Sequence, residues 1–220
     1  MSTVLAAATD WTSAGFMVGH AKVLWTDLVG NICALGTVVL ATRRLVVAWP
    51  VQLLGAVLLL VASLHAHLGG NAMKQALFIA LAAYGWVRWM RGRRQEGEVV
   101  VRPASRNERI ALAGVLVAGT AVVAWILNHF DASWSPIADA YIFAASAVAT
   151  YAQAKALLEF WWVYIALDLV GVPLAFLSGL WVTGAVYAVF FVLCVKGFFD
   201  WRRLYRARRD AAPRSEAVAA

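Results

Sequence analysis

The sequence predicts an all-α integral membrane protein of seven transmembrane helices, arranged as two parallel three-helix repeats joined by a linking helix (3+1+3). Three observations predict it: seven apolar stretches of membrane-crossing length, a one-sided distribution of lysine and arginine, and an internal repeat in unbroken register. Hydrophobic residues make up 63% of the 220-residue chain and charged residues 14%, against about 25% charged in an ordinary soluble domain. A soluble fold of this size keeps too much area in water to hide so much apolar surface, so lipid is the expected solvent.

Residues 1–24 contain Trp11, Phe16 and His20 and read as an interfacial segment rather than a span. The expected spans are 25–42, 45–64, 72–90, 110–127, 137–153, 159–177 and 180–199, close to the roughly 20 residues that cross a hydrocarbon core. The first and fifth are short and polar-spotted. Residues 25–92 form the first three-helix repeat and 137–204 the second. Residues 93–136 hold a cytoplasmic linker, the linking helix and an outer loop, the polar stretch 91–109 being the one clear linker. Residues 205–220 read as a basic, disordered cytoplasmic tail. No basic region and small-residue cleavage site open the chain, so no removable signal peptide is expected. Cys33 and Cys194 each lie inside an apolar run and suggest no disulfide framework.

The net charge of +7 invites a nucleic-acid reading. The basic residues, however, sit between and after apolar runs. When loops are assigned alternately to two sides, only Lys22 and Lys74 fall on one of them, leaving 17 of the 19 Lys and Arg on the other. The positive-inside rule then places the N-terminus outside and the C-terminus in the cytoplasm of a cell-membrane protein, and no nucleic-acid partner is expected.

Displacing the chain by 112 positions superposes Asp27 on Asp139, Arg43 on Lys155, Trp49 on Trp161, Gly85 on Gly197, Trp89 on Trp201 and Arg91 on Arg203. No gap is needed from 25–92 to 137–204. Random apolar helices match leucine with leucine, but rarely Asp, Trp, a base and Gly in one register. Four helices after the first, the chain travels in the same direction again. The repeats are therefore parallel, related by an axis along the membrane normal, with the substrate site expected near the midplane between them. The helix at 110–127 restores direction and is expected to be peripheral.

Polar groups inside hydrocarbon are costly and face a cavity or a partner. Trp49, Gln52 and Gly55 share one face of the second span; Trp161, Tyr164 and Leu167, with Asp168 beside them, share the equivalent face of the sixth. Aromatic walls suit a flat heterocycle, and Gln52 and Tyr164 suit its polar edge. Trp49, Trp161 and Trp162 read equally as a cytoplasmic aromatic belt. Asp27 and Asn31, near the outer end of the first span, either meet substrate at the mouth or bond a neighbouring helix. Asp139, Phe143, Ser146, Thr150 and Gln153 share a face that suits close helix packing. Asn71 and Gln75 read either way, Lys74 as snorkelling, and His65 and His67 as surface residues. Lys155 and Glu159 are expected to form an i,i+4 pair. Asp168 is the deepest acid in the sixth span and the first candidate for any proton coupling.

The same residues carry a family resemblance over about 25–204. Asp139, Thr150-Tyr151, Lys155, Glu159-Phe160-Trp161, Asp168 and Gly197-Phe-Phe-Asp-Trp201, with Tyr84-Gly85-Trp86-Val-Arg-Trp89 in the first half, resemble the PnuC-type vitamin transporters. The resemblance implies a SWEET-like 3+1+3 fold and facilitated diffusion of an unphosphorylated vitamin, trapped inside by a kinase. Nicotinamide riboside carriers of that family show Glu-Ser-Trp-x-x-Trp in the sixth span; here Phe160 and Tyr164 replace the serine and second tryptophan. Trp25-Thr-Asp27-Leu-Val-Gly30-Asn31, Trp49-Pro50-Val-Gln52 and Lys74-Gln75 are more similar to the riboflavin-carrying branch of actinobacteria. The resemblance thus implies riboflavin as cargo, with nicotinamide riboside as the alternative. Its site would lie between the repeats, with the ring against Trp161 and Tyr164 and polar contacts from Gln52 and Asn31.

Two other classes compete. An intramembrane enzyme needs a nucleophile–base pair or a metal cluster, and the chain has no H-E-x-x-H, no G-x-S-x-G and no phosphate-binding G-x-x-x-x-G-K-[ST]. A retinal photoreceptor needs a mid-bilayer lysine in the last helix, whereas Lys196 sits at the rim of the basic tail. No catalytic residue, metal or cofactor is expected. The partners are a vitamin and the bilayer, with the oligomeric state open, homo-oligomers included.

Overall fold

The computed structural model describes residues 15–18, 21–65, 69–177 and 181–218. Its helices are α1 (Trp25–Thr42), α2 (Ala48–His65), α3 (Gly69–Glu96), α4 (Arg106–His129), α5 (Pro136–Ala154), α6 (Glu159–Leu177) and α7 (Trp181–Val218). Each overlaps one expected span. Among the described residues, Arg106–His129, Glu159–Leu177 and Gly184–Ala211 are long and apolar enough to cross a membrane, and Ile32–Thr42 and Ala48–Val61 are shorter apolar stretches.

Three features depart from expectation. A hairpin precedes α1, with β1 (Gly15–Val18) antiparallel to β2 (Ala21–Leu24) and Phe16 opposite Val23; four-residue strands are too short to show a readable alternation. The rest of the 1–24 segment lies outside the described residues. The stretch expected as a basic tail is drawn as a continuation of α7, which runs on to Val218. Its Ala, Arg and Leu are strong helix formers, and Arg208 ties it to Glu96 at 3.0 Å. Finally, Lys155 and Glu159 are not paired. Ala156 between them has φ 52°, which ends α5 before α6 begins, so no helical i,i+4 geometry exists. Lys155 instead meets Glu108 at 2.8 Å, and Glu159 meets Arg109 at 2.8 Å.

Helix packing follows the repeat. Within each unit α1–α2–α3 and α5–α6–α7 pack in sequence, and the units join where α3 meets α5 and α7 meets α1. That order closes a ring in which every helix stands opposite its repeat mate, α2 facing α6 across the axis. α4 lies outside the ring against α5 and has no buried residue, as a direction-restoring helix should.

The register holds at the level of single bonds. The turn after α1 has Arg44 at φ 56°, and the turn after α5 has its mate Ala156 at φ 52°. Arg44 N–H donates to Ala41 O and Ala156 N–H to Gln153 O, both at 2.9 Å. Leu45 N–H donates to Leu40 O at 3.0 Å and Leu157 N–H to Ala152 O at 3.1 Å. One backbone design is thus built twice, 112 positions apart.

The linker is buried where its polarity suggests a free loop. Val99, Val101 and Ala104 are in the core. Arg102 N–H donates to Ala156 O at 3.2 Å and Leu158 N–H to Arg102 O at 3.0 Å, a short parallel bridge under the second turn. Arg44 Nη1 donates to Glu98 and to Val99 O, tying the same linker under the first turn. Ser105 caps α4 in a capping box with Glu108. Glu108 also accepts two bonds of 2.7 Å from Arg102 and one of 2.8 Å from Lys155. The basic ends of all these helices are therefore fastened together.

Candidate functional site

Four tryptophans form an arc across the pseudo-two-fold axis at the basic end. Trp49 on α2 meets Trp89 on α3 edge-on, with centroids 5.4 Å apart at 88°; their mates Trp161 and Trp201 meet at 5.7 Å and 86°. Trp89 and Trp201 complete the arc at 6.2 Å. All four rings are essentially inaccessible. Glycine makes this possible. A Cβ at Gly85 would stand 2.3 Å from Cη2 of Trp49, and one at Gly197 would stand 2.3 Å from Cη2 of Trp161.

The central pair of the arc, Trp89 and Trp201, latches the repeats crosswise. Trp89 Nε1 donates to the carbonyl of Gln153 in the second repeat, and Trp201 Nε1 to that of Ala41 in the first, both at 3.1 Å. Ala41 and Gln153 are themselves repeat mates. The pair at the ends of the arc, Trp49 and Trp161, has no such partner among the described residues. Trp49 Nε1 and Trp161 Nε1 are buried with no hydrogen-bond partner among the described residues, and so are Gln52 Oε1, Asp168 Oδ2 and Gln153 Nε2. Native structures rarely leave such groups unpaired, and each needs an explanation. Trp49 and Gln52 lie on α2, Trp161 and Asp168 on α6 and Gln153 in the last turn of α5, while a sixth such atom, Thr120 Oγ1, lies on α4.

Of the expected site residues, Trp49, Gln52, Trp161 and Asp168 all carry these unpaired atoms. Tyr164 does not: its hydroxyl lies 3.1 Å from Thr150 Oγ1 on α5. Asn31 lies in α1, but its side chain is outside the described residues, as are those of Asp27, Asn71 and His65; His67 is outside them altogether. The belt reading fails for Trp49 and Trp161, which are 0% and 1% exposed, and suits Trp162, at 56%. Stacking of a ligand on Trp161 finds no free face either. Phe160 lies 4.2 Å away, Trp201 closes another side and Gly197 receives its edge. Only the indole N–H is left to offer.

Gln153 is the residue that sequence reasoning underrated. It belongs to a polar face of α5 that was expected to serve packing, and Thr150 does so, its hydroxyl meeting Tyr164 of α6 at 3.1 Å. The signal was a buried amide at the end of a helix, too large for close packing. Among the described residues no cluster of His, Cys, Asp and Glu could hold a metal.

Comparison with known proteins agrees with this architecture. A family model described as nicotinamide mononucleotide transporter matches residues 24–203. The riboflavin/roseoflavin transporter RibM of Streptomyces davaonensis is 41% identical over 215 residues, covering 96% of this chain and 100% of that protein. The crystal structure of the vitamin B3 transporter PnuC superposes with a TM-score of 0.65 at 20% identity, over 83% of each chain; at that identity the likeness is one of fold. Seven helices, three of them long and apolar enough to cross a membrane, a duplicated three-helix unit and this match over nearly the whole repeat region lead to one conclusion: the chain is a multi-pass membrane protein of the nicotinamide mononucleotide transporter family.

Proposed function

We propose that this protein carries riboflavin across the cell membrane, binding it between the repeats and releasing it unchanged. The observation that supports the reading most is that five of the six unpaired buried atoms among the described residues lie on α2, α6 and the end of α5: three donors (Trp49 Nε1, Trp161 Nε1, Gln153 Nε2) and two acceptors (Gln52 Oε1, Asp168 Oδ2), the sixth being Thr120 Oγ1 on the peripheral α4. The polar edge of an isoalloxazine alternates carbonyl, N–H and carbonyl, and its ribityl chain carries hydroxyls. Gln52 accepts from the ring N–H, the indole and amide donors serve the carbonyls, and Asp168 accepts from a hydroxyl. Each pairing converts an orphaned group into a satisfied one. Leaving such a group unpaired in the complex costs about 1–3 kcal/mol, so a cargo that meets each of them is favoured over one that does not. The name of the relative from Streptomyces davaonensis supports the same cargo.

The basic end faces the cytoplasm, by the positive-inside rule, and transport is facilitated diffusion with accumulation only after intracellular phosphorylation. The chain does no chemistry on its cargo. One observation favours nicotinamide riboside as a second reading: the buried carboxylate Asp168 would attract a cationic pyridinium. The test is binding to the purified protein. Flavin fluorescence quenched at low concentration, with no competition from excess nicotinamide riboside, supports riboflavin; displacement by nicotinamide riboside transfers the assignment to the second reading.

A further inference from the structure

Outside the ring, two hollows meet at Lys155. The first, of about 520 Å³, is an apolar groove between α3, α4 and α5, walled by Leu77, Leu81, Leu112, Val115, Phe143 and Val148. It reaches Tyr151 and Lys155 at the basic end. The second, of about 470 Å³, continues from there and is lined by Arg88, Arg91, Arg102 and Lys155. The stacked rings of Tyr84 and Tyr151, 5.9 Å apart, mark the boundary.

The charges divide unevenly. Arg102 and Lys155 are both committed to Glu108, and Glu96, the acid lining the basic hollow, is committed to Arg208. Arg88 and Arg91, one turn apart on α3, are in no salt bridge among the described residues and are exposed. Two uncompensated guanidinium groups therefore stand where an apolar groove emerges at the basic face. An apolar channel at hydrocarbon depth, capped by free arginines at headgroup depth, has the shape and charge order of one lipid molecule. Arginine binds phosphate through a rigid fork of donors, and basic pockets between helices at the cytoplasmic face suit anionic headgroups.

We propose that this groove holds a phospholipid with an anionic headgroup, its phosphate on Arg88 and Arg91 and one acyl chain between α3, α4 and α5. A second copy of the chain is a poor occupant, since its own arginine-rich end would meet these arginines at the same level. The site is separate from the vitamin site and does not depend on which vitamin is carried.

The experiment reconstitutes the full chain in bilayers of equal phosphatidylcholine and phosphatidylglycerol, then measures the retained lipids by native mass spectrometry. The parent should retain phosphatidylglycerol preferentially. Arg88→Gln/Arg91→Gln should reduce that preference about thirtyfold, at roughly 1 kcal/mol per basic residue near the surface. Val115→Trp, which fills the groove from an exposed position on α4, should lower retention with the arginines intact. Arg206→Gln/Arg209→Gln removes the same charge from exposed sites on α7 and should change nothing. The proposal is overturned if the two double variants lose preference equally, if Val115→Trp retains lipid as the parent does, or if soluble glycerophosphoglycerol displaces the lipid as readily as a second phosphatidylglycerol does.

Discussion

Replacing Gly85 by Ala tests the packing that positions the site. The new Cβ would lie 2.3, 2.4 and 2.5 Å from three ring carbons of Trp49, where carbon atoms prefer about 3.5–4.0 Å. Something must therefore yield by about 1 Å. Trp49 has nowhere to go: it is 0% exposed and Trp89 stands against it edge-on. Overpacking of this kind costs about 1–3 kcal/mol, and the absence of slack points to the upper end. Alanine recovers about 1 kcal/mol of helix propensity, for a net loss of about 2 kcal/mol. At about 2–4 °C per kcal/mol for a chain of this length, Tm should fall about 4–8 °C. Thermal unfolding of purified protein in detergent is the assay. Gly197→Ala should do the same through Trp161, while Gly92→Ala, with nothing within 4 Å, should be neutral or slightly stabilising. Combining Gly85→Ala with Trp49→Phe should be less damaging than the sum of the two, by at least about 1 kcal/mol. A Gly85→Ala protein as stable as the parent, or strict additivity in the double variant, would refute the reasoning.

Three further outcomes follow from the same geometry. Gln52→Leu removes an unpaired buried oxygen, so it should raise the stability of the empty protein while weakening riboflavin binding about tenfold or more, read by thermal unfolding and flavin fluorescence on the same sample. Trp89→Phe and Trp201→Phe each delete one crosswise latch to a carbonyl and should cost about 1–3 kcal/mol, equal to within about 1 kcal/mol if the pseudo-symmetry is energetic as well as geometric. Riboflavin flux into proteoliposomes should run downhill and be indifferent to an imposed proton gradient; gradient-driven accumulation lost in Asp168→Asn would contradict this.

The sequence carried the fold in its long-range pattern. Seven helices fell where apolar stretches lay, because lipid obliges every span to satisfy its own backbone and leaves hydropathy a direct record of it. The repeat was legible because Trp49, Gly85 and Trp89 form a lock that must be built twice. What the sequence concealed were contacts between distant segments. The stretch 91–109 is polar in composition, yet its Val99 and Val101 are buried, while Arg102 and Glu98 beside them enter ion pairs that only the folded end supplies. Lys155 and Glu159 satisfied a helical rule that one left-handed residue between them cancels. In the candidate site, polarity inside an apolar helix marked Gln52 and Asp168, and both carry buried atoms without a partner among the described residues. The rings of Trp49 and Trp161 suggested stacking platforms, but the facing glycines are what bury them, and the repeat had already marked those glycines without giving their purpose.

The central claim is that the unpaired groups between the repeats hold riboflavin. Uptake of labelled riboflavin and labelled nicotinamide riboside, side by side in cells lacking their own carriers, tests it most directly when the parent is run beside Gln52→Leu. The account predicts riboflavin uptake by the parent, a marked loss in Gln52→Leu and little nicotinamide riboside uptake by either; nicotinamide riboside uptake without riboflavin uptake, or riboflavin uptake unchanged by Gln52→Leu, would contradict it.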